Sequence, residues 1–120
     1  MSYTVFITKF SWVNGVETPI QLEDWVAVAE ADPEFEADPD YIGSYLWKSH
    51  PREPLFDYYG PIGIGVSYRD GPTFRKMFSI ASRLDAILRG EMNEMYRLTE
   101  NGVEQFYENP LDGDPDIICD

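Results

Sequence analysis

The pattern of apolar and polar positions changes rhythm along this chain, and each change predicts an element. Tyr3-Thr4-Val5-Phe6-Ile7-Thr8 is β-branched or aromatic throughout, which predicts a strand buried on both faces. The pattern continues through Trp12-Val13 to Asn14-Gly15, the preferred filling of a tight hairpin turn because both residues tolerate positive φ. After Pro19 the period becomes helical. Leu22, Trp25, Val26 and Ala29 form one stripe, with Glu23 and Asp24 in the first turn, where the helix dipole favours carboxylates. This helix stops before Pro33, whose ring excludes a helical conformation for the residue ahead of it.

From Glu30 to Asp40 the chain reads EADPEFEADPD, with two prolines and six carboxylates, and predicts a solvated loop. Tyr41 to Lys48 then reads as a strand, with Tyr41, Tyr45 and Trp47 on one face and Ile42 and Leu46 on the other. Ser49 to Pro54 is a connection. Leu55 to Tyr68 predicts the longest strand, with Ile62, Ile64, Val66 and Tyr68 alternating against Gly63, Gly65 and Ser67. Pro61 marks a bulge or an edge position in it. Asp70-Gly71-Pro72 turns into the clearest helix, whose stripe is Phe74, Met77, Phe78, Ala81, Leu84 and Leu88, widened by Ile80 and Ile87 and ended by Gly90. Short strands follow at Met95 to Thr99 and Val103 to Tyr107.

Strand, helix, strand, strand, helix, strand is the βαββαβ order of a ferredoxin-like split unit. The expected fold class is therefore α+β: one antiparallel sheet of four or more strands with two helices on one face, extended by a hairpin at Asn14-Gly15. Residues 1–111 form that single domain, and residues 112–120 an acidic C-terminal tail.

Composition alters the picture mainly through charge. Twenty-two Asp and Glu against nine Lys and Arg give a net charge of −13, which disfavours phosphate backbones and anionic membranes as partners and favours a cationic protein, so neither nucleic acid nor membrane is expected. Aromatic residues at 15% argue against disorder. The N-terminal MSYTVFITKF lacks a basic, cleavable leader, and the longest apolar run, Trp25 to Ala29, is far short of a membrane span, so the expectation is a soluble cytoplasmic protein, monomeric or weakly dimeric.

Catalytic chemistry has few candidates. One His and one Cys leave only His50 with Cys119 for a thiol pair, and no serine sits in a strand–helix elbow. His50 reads as a loop residue. Asp57, between Phe56 and Tyr58-Tyr59, is the one acid in an apolar setting and the candidate for a general base, the alternative being a hydrogen-bonded or outward strand aspartate. Asp112, Asp114 and Asp116 alternate like the first ligands of a calcium loop, but the glycine falls at the wrong position and no bidentate Glu follows. No cofactor or metal is expected. Gly63 and Gly65 leave one side of their strand flat, and a flat floor walled by Tyr45 and Trp47 suits a protein interface or a shallow ligand site, unless aromatics fold over the glycines and seal them.

Lys76-Met77, Ile80-Ala81, Leu84, Gly90-Glu91 and Tyr96, in that order, resemble the C-terminal half of small acidic immunity proteins encoded beside bacterial polymorphic or secreted toxins, and Ile20 to Trp25 resembles their N-terminal helix start. Met92-Asn93 departs from the usual acid-rich turn and Gln21 from the usual serine cap. The resemblance implies a stoichiometric inhibitor that blocks the active site of a cognate toxin, such as a nuclease with a basic groove. The partner-binding residues expected from charge and aromatics are Glu30, Asp32, Glu34, Glu36, Asp38, Asp40, Tyr41, Tyr45, Trp47, Asp57, Tyr58 and Tyr59. The competing expectations are a small ligand-binding or enzymatic domain on the aromatic sheet face, and a DNA-mimic inhibitor.

Overall fold

The structure, a computed structural model, describes residues 3–9 and 18–119. The expected hairpin through Trp12-Val13 and Asn14-Gly15 lies outside the described residues. The elements are β1 (Val5–Thr8), α1 (Leu22–Glu30), β2 (Phe35–Ala37), β3 (Ser44–Trp47), β4 (Leu55–Tyr58), β5 (Ile64–Val66), α2 (Gly71–Leu84), β6 (Ile87–Gly90), β7 (Met95–Thr99), β8 (Gly102–Phe106) and β9 (Asp116–Cys119). The strands form one sheet in the order β2-β3-β4-β5-β1-β6-β7-β8-β9, antiparallel at every pairing. Among the described residues this is an α+β domain with two helices and a larger sheet than the sequence pattern alone requires. Among the described residues, no helix is long and apolar enough to cross a membrane.

β1 is the middle strand, and all four of its residues are buried, as its unbroken apolar pattern predicts. The register sets Phe56, Val66 and Val5 side by side on one face, with Ile7 beside Leu88 and Leu88 beside Tyr96 on that same face. Both helices cover it. Trp25 of α1 stacks on Phe56 and meets Phe35 and Tyr45 edge-on, while Phe74 of α2 packs on Tyr96. α1 has no side-chain cap at Gln21 and relies on Glu23 and Asp24, and it ends at Ala31, ahead of Pro33. In α2 the carboxylate of Asp70 caps the Thr73 amide at 2.9 Å and Pro72 fills the first turn.

Several boundaries differ from the sequence expectation, each for a physical reason. The long strand from Leu55 to Tyr68 is a hairpin. β4 and β5 pair with each other across a short 3-10 turn, Gly60–Ile62, that needs positive φ at Gly60 and Gly63. A Cβ on Gly63 would lie 2.1 Å from the Ile7 carbonyl oxygen. The second helix stops at Leu84, not Gly90, because Asp85 takes a left-handed cap (φ 54°) and Ile87-Leu88 join the sheet as β6. Gly90 is a glycine for close approach: a Cβ there would fall 2.3 Å from the Glu94 carboxylate. The strand expected over Tyr41 to Lys48 shortens to β3, leaving Tyr41 and Ile42 in a turn. The acidic loop of residues 30–40 contains β2, an edge strand. Residues 116–119 of the expected tail form β9 on β8.

Leu22, Val26 and Leu84, expected in the core, are half-buried, whereas Trp25, Phe56, Phe74 and Met77 are nearly fully enclosed. Met77→Ala should therefore cost ~2–5 kcal/mol and Phe56→Ala ~3–5 kcal/mol. Leu84→Ala should cost clearly less than either. Chemical denaturation followed by intrinsic fluorescence gives all three values, and a Leu84 loss equal to that of Met77 would contradict this packing.

Candidate partner-binding site

The two sheet faces decide which expected site residues can meet a partner. Tyr45 and Trp47 lie on the helix-covered face and belong to the core, so the open aromatic floor expected beside Gly63 and Gly65 does not exist. On the opposite face Gly65 is covered by Tyr59, whose ring would lie 2.6 Å from a Cβ there and meets Phe6 edge-on. The glycine is thus sealed by an aromatic, but by Tyr59 and not by Tyr45 or Trp47. Burial, aided by the charge of Asp57, raises the Tyr59 phenol above its ordinary pKa. Asp57 accepts a hydrogen bond from the Ser44 hydroxyl across the β3–β4 pairing. The Tyr58 hydroxyl donates to the Ile20 carbonyl at 2.8 Å and serves the ascent into α1.

The six carboxylates from Glu30 to Asp40 do not form one field either. Asp32 and Glu34 grip Lys76 of α2 at 2.5 and 2.8 Å, and the Trp47 indole N–H donates to the same Glu34 oxygen at 2.8 Å. The ammonium also lies 5.1 Å from the Phe35 ring centroid. Burial pushes the Asp32 carboxyl up, but hydrogen bonds from Lys76 and the Glu34 amide outweigh it and hold the group below its ordinary value. Glu34 is held low by Lys76 and then by Trp47. Glu30 accepts from the Tyr45 hydroxyl, and burial plus that bond push the phenol up to about 12. Glu36 pairs loosely with Lys48 at 3.4 Å, where both side chains are solvated.

What remains outward is the turn from β2 to β3. Asp38 donates its amide to the Ser44 carbonyl at 2.8 Å, and its carboxylate accepts the Asp40 amide at 2.9 Å, closing an Asx turn. Gly43 takes φ 91°, and its carbonyl receives both the Trp25 indole N–H at 2.8 Å and the Tyr58 amide at 3.2 Å. Held from behind in this way, the turn presents Tyr41 at 68% exposure and Ile42 at 86%. Asp40 is exposed beside them and Asp38 is half-buried, while Glu36 stands exposed further back on β2. The arrangement is an apolar pair on a braced backbone within a carboxylate rim, the form of an anchor for a cationic, partly apolar surface. Ile42 is absent from the expected set because alternation places it on the strand face opposite Tyr41, Tyr45 and Trp47. The Asp-Pro-Asp run followed by Gly43 is the sequence signal that a turn stands there.

The remaining candidates sit elsewhere. His50 is buried, and both ring nitrogens are engaged: Nδ1 accepts the Arg52 amide at 2.9 Å and Nε2 meets Asp70 at 2.7 Å. Burial pushes Asp70 up, yet bonds from Thr73 and His50 leave it below its ordinary value. Cys119 lies on β9, the edge of the sheet remote from His50, so the two do not meet. Among the described residues no group of His, Cys, Asp and Glu converges as metal ligands, the alternating Asp112, Asp114 and Asp116 included. No protein-family model matches the chain, and neither the curated proteins nor the solved structures give a match.

The Lys76 clamp has a pH signature. Asp32 and Glu34 titrate below their ordinary range when folded, so their contribution is complete at neutral pH and is lost as the pH falls through and below that range. Lys76→Met should therefore destabilise the protein at neutral pH, and the gap to wild type should narrow in acid. Denaturation of both proteins across that interval measures it, and a gap independent of pH would contradict the clamp.

Proposed function

We propose that this protein is an immunity-type inhibitor that docks on the basic surface of a cognate bacterial toxin and blocks its active site. The carrying observation is the braced turn that holds Tyr41 and Ile42 in solvent with Asp38 and Asp40, ahead of the exposed Glu36 on β2. A net charge of −13 supports a cationic partner, and carboxylates can occupy a groove shaped for phosphates, which favours a nuclease. Rim carboxylates accelerate encounter, whereas apolar anchors on a rigid backbone lengthen residence because little order is lost on binding. The inhibitor acts in the cytoplasm as a monomer or weak dimer and needs no catalytic group; His50, with both nitrogens committed, is a structural tie. In the same reading, β4-β5-β1-β6 with α1 after β1 and α2 after β5 is the βαββαβ unit. β2 and β3 are then an insertion, and β7 to β9 an extension.

The test is binding to the toxin encoded beside this chain, measured by stopped flow at two salt concentrations. The triple variant Glu36→Gln, Asp38→Asn, Asp40→Asn should slow association several-fold at low salt and leave dissociation almost unchanged. Tyr41→Ala with Ile42→Ala should instead speed dissociation, at a cost of ~2 kcal/mol or about 30-fold. If neither variant alters binding, the turn is not the contact surface. Absence of any complex with that neighbour, together with inhibition of an unrelated nucleic-acid enzyme, would favour a DNA mimic.

A further inference from the structure

On the other side of β1 from the braced turn, the β6–β7 turn and the chain leaving β8 enclose a cleft of about 550 Å³. Its walls are Met92, Asn93, Tyr107, Glu108, Asn109 and Asp112. Both walls are fixed. On one, Glu94 accepts from the hydroxyls of Tyr3 and Tyr96 and from the Met92 amide, and Asn93 holds φ 67° with its amide on the Gly90 carbonyl at 3.1 Å. On the other, Asn109 Oδ1 accepts the Leu111 amide at 3.1 Å, and the Tyr107 ring packs so close to Gly113 that a Cβ there would lie 2.7 Å away. Arg89 ties the walls together from behind, its side chain only 3% exposed. Its Nη1 donates to Asn93 Oδ1 at 2.6 Å and its Nη2 to Glu108 at 3.1 Å. Its Nε is a buried donor with no acceptor among the described residues.

These bonds determine what the cleft can still offer. Asn93 Oδ1 and Asn109 Oδ1 each already accept a bond, and each carboxamide keeps its NH₂ as a donor. Tyr107 accepts from Gln105 Nε2 at 3.3 Å, which frees its own O–H to donate. The acceptors are the second oxygen of Glu108 and the carboxylate of Asp112. Glu108 is already neutralised by Arg89, which leaves Asp112 as the uncompensated charge among the lining residues. An ammonium group would face the amide donors, and an anion the carboxylates. A polyhydroxyl ligand meets both sets, because each hydroxyl donates and accepts, and its C–H faces can rest on the Tyr107 ring and the Met92 side chain.

We infer that the cleft between the β6–β7 turn and residues 107–112 is a binding site for a neutral saccharide. The inference is independent of the toxin reading, since it needs no protein partner. Titration of the ¹⁵N-labelled full chain with glucose, galactose, N-acetylglucosamine, maltose, cellobiose and chitobiose, with putrescine as a cationic control, tests it. At least one sugar should give saturable millimolar shifts confined to the amides of residues 91–94 and 107–113. Asp112→Ala and Tyr107→Phe should each weaken that binding about tenfold while the rest of the spectrum stays in place. Absence of saturable shifts with every sugar, shifts from putrescine alone, or sugar binding indifferent to both substitutions would overturn the assignment.

Discussion

Burying an indole obliges its N–H to find an acceptor, and Trp25 finds the carbonyl of Gly43. That bond couples the interior to the surface. The ring touches Phe35, Tyr45 and Phe56, one residue from each of three neighbouring strands, so α1, the sheet edge and the β2–β3 turn form one mechanical unit. Gly43 admits no side chain, since a Cβ would fall 3.0 Å from both Leu22 and Tyr58 while the backbone stands at φ 91°. The turn's geometry is therefore set by the core and not by the solvent around it.

Two of the cations in this acidic chain are spent inward. Lys76 draws Asp32 and Glu34 onto α2, and Arg89 draws Asn93 toward Glu108. Each is a buried charge whose bonds are supplied by segments that would otherwise be free, and removing either would leave carboxylates without their partner.

The sequence made the helices legible, along with β1, β7 and β8, because their periodicity or β-branching has one simple solution. The same pattern predicts the βαββαβ order. Alternation shows which side chains share a face, but not which face is inward. Alternation alone therefore suits Tyr45 and Trp47 to an open surface that the helices in fact cover. Glycines carried the other ambiguity. Gly60 and Gly63 reverse the chain, Gly90 admits a carboxylate, and Gly65 receives a ring, and these four demands look alike in one dimension. β2 and β9 were hidden by their acids, which are the residues that blunt a sheet edge. The partner of Lys76 lies 42 to 44 residues away and is a tertiary fact. The turn at Asp38 and Asp40 is legible because an Asp-Pro-Asp run marks it by local chemistry alone, whereas alternation hides that Tyr41 belongs to the turn and not to a strand.

The middle position of β1 also bears on the order of events in folding. Val5 to Thr8 can be framed only by residues 64–66 on one side and 87–90 on the other, so the centre of the sheet closes through contacts very distant along the chain. Such pairings carry a large loop-closure cost before they return any stabilisation, and they place this domain among slow folders. Until β6 arrives, Val5, Ile7 and their neighbours lack one side of their cover, the condition in which chains stick to one another. An unfinished molecule with a strong net negative charge repels its copies through that interval, so the acidity protects the chain before there is a surface for it to decorate.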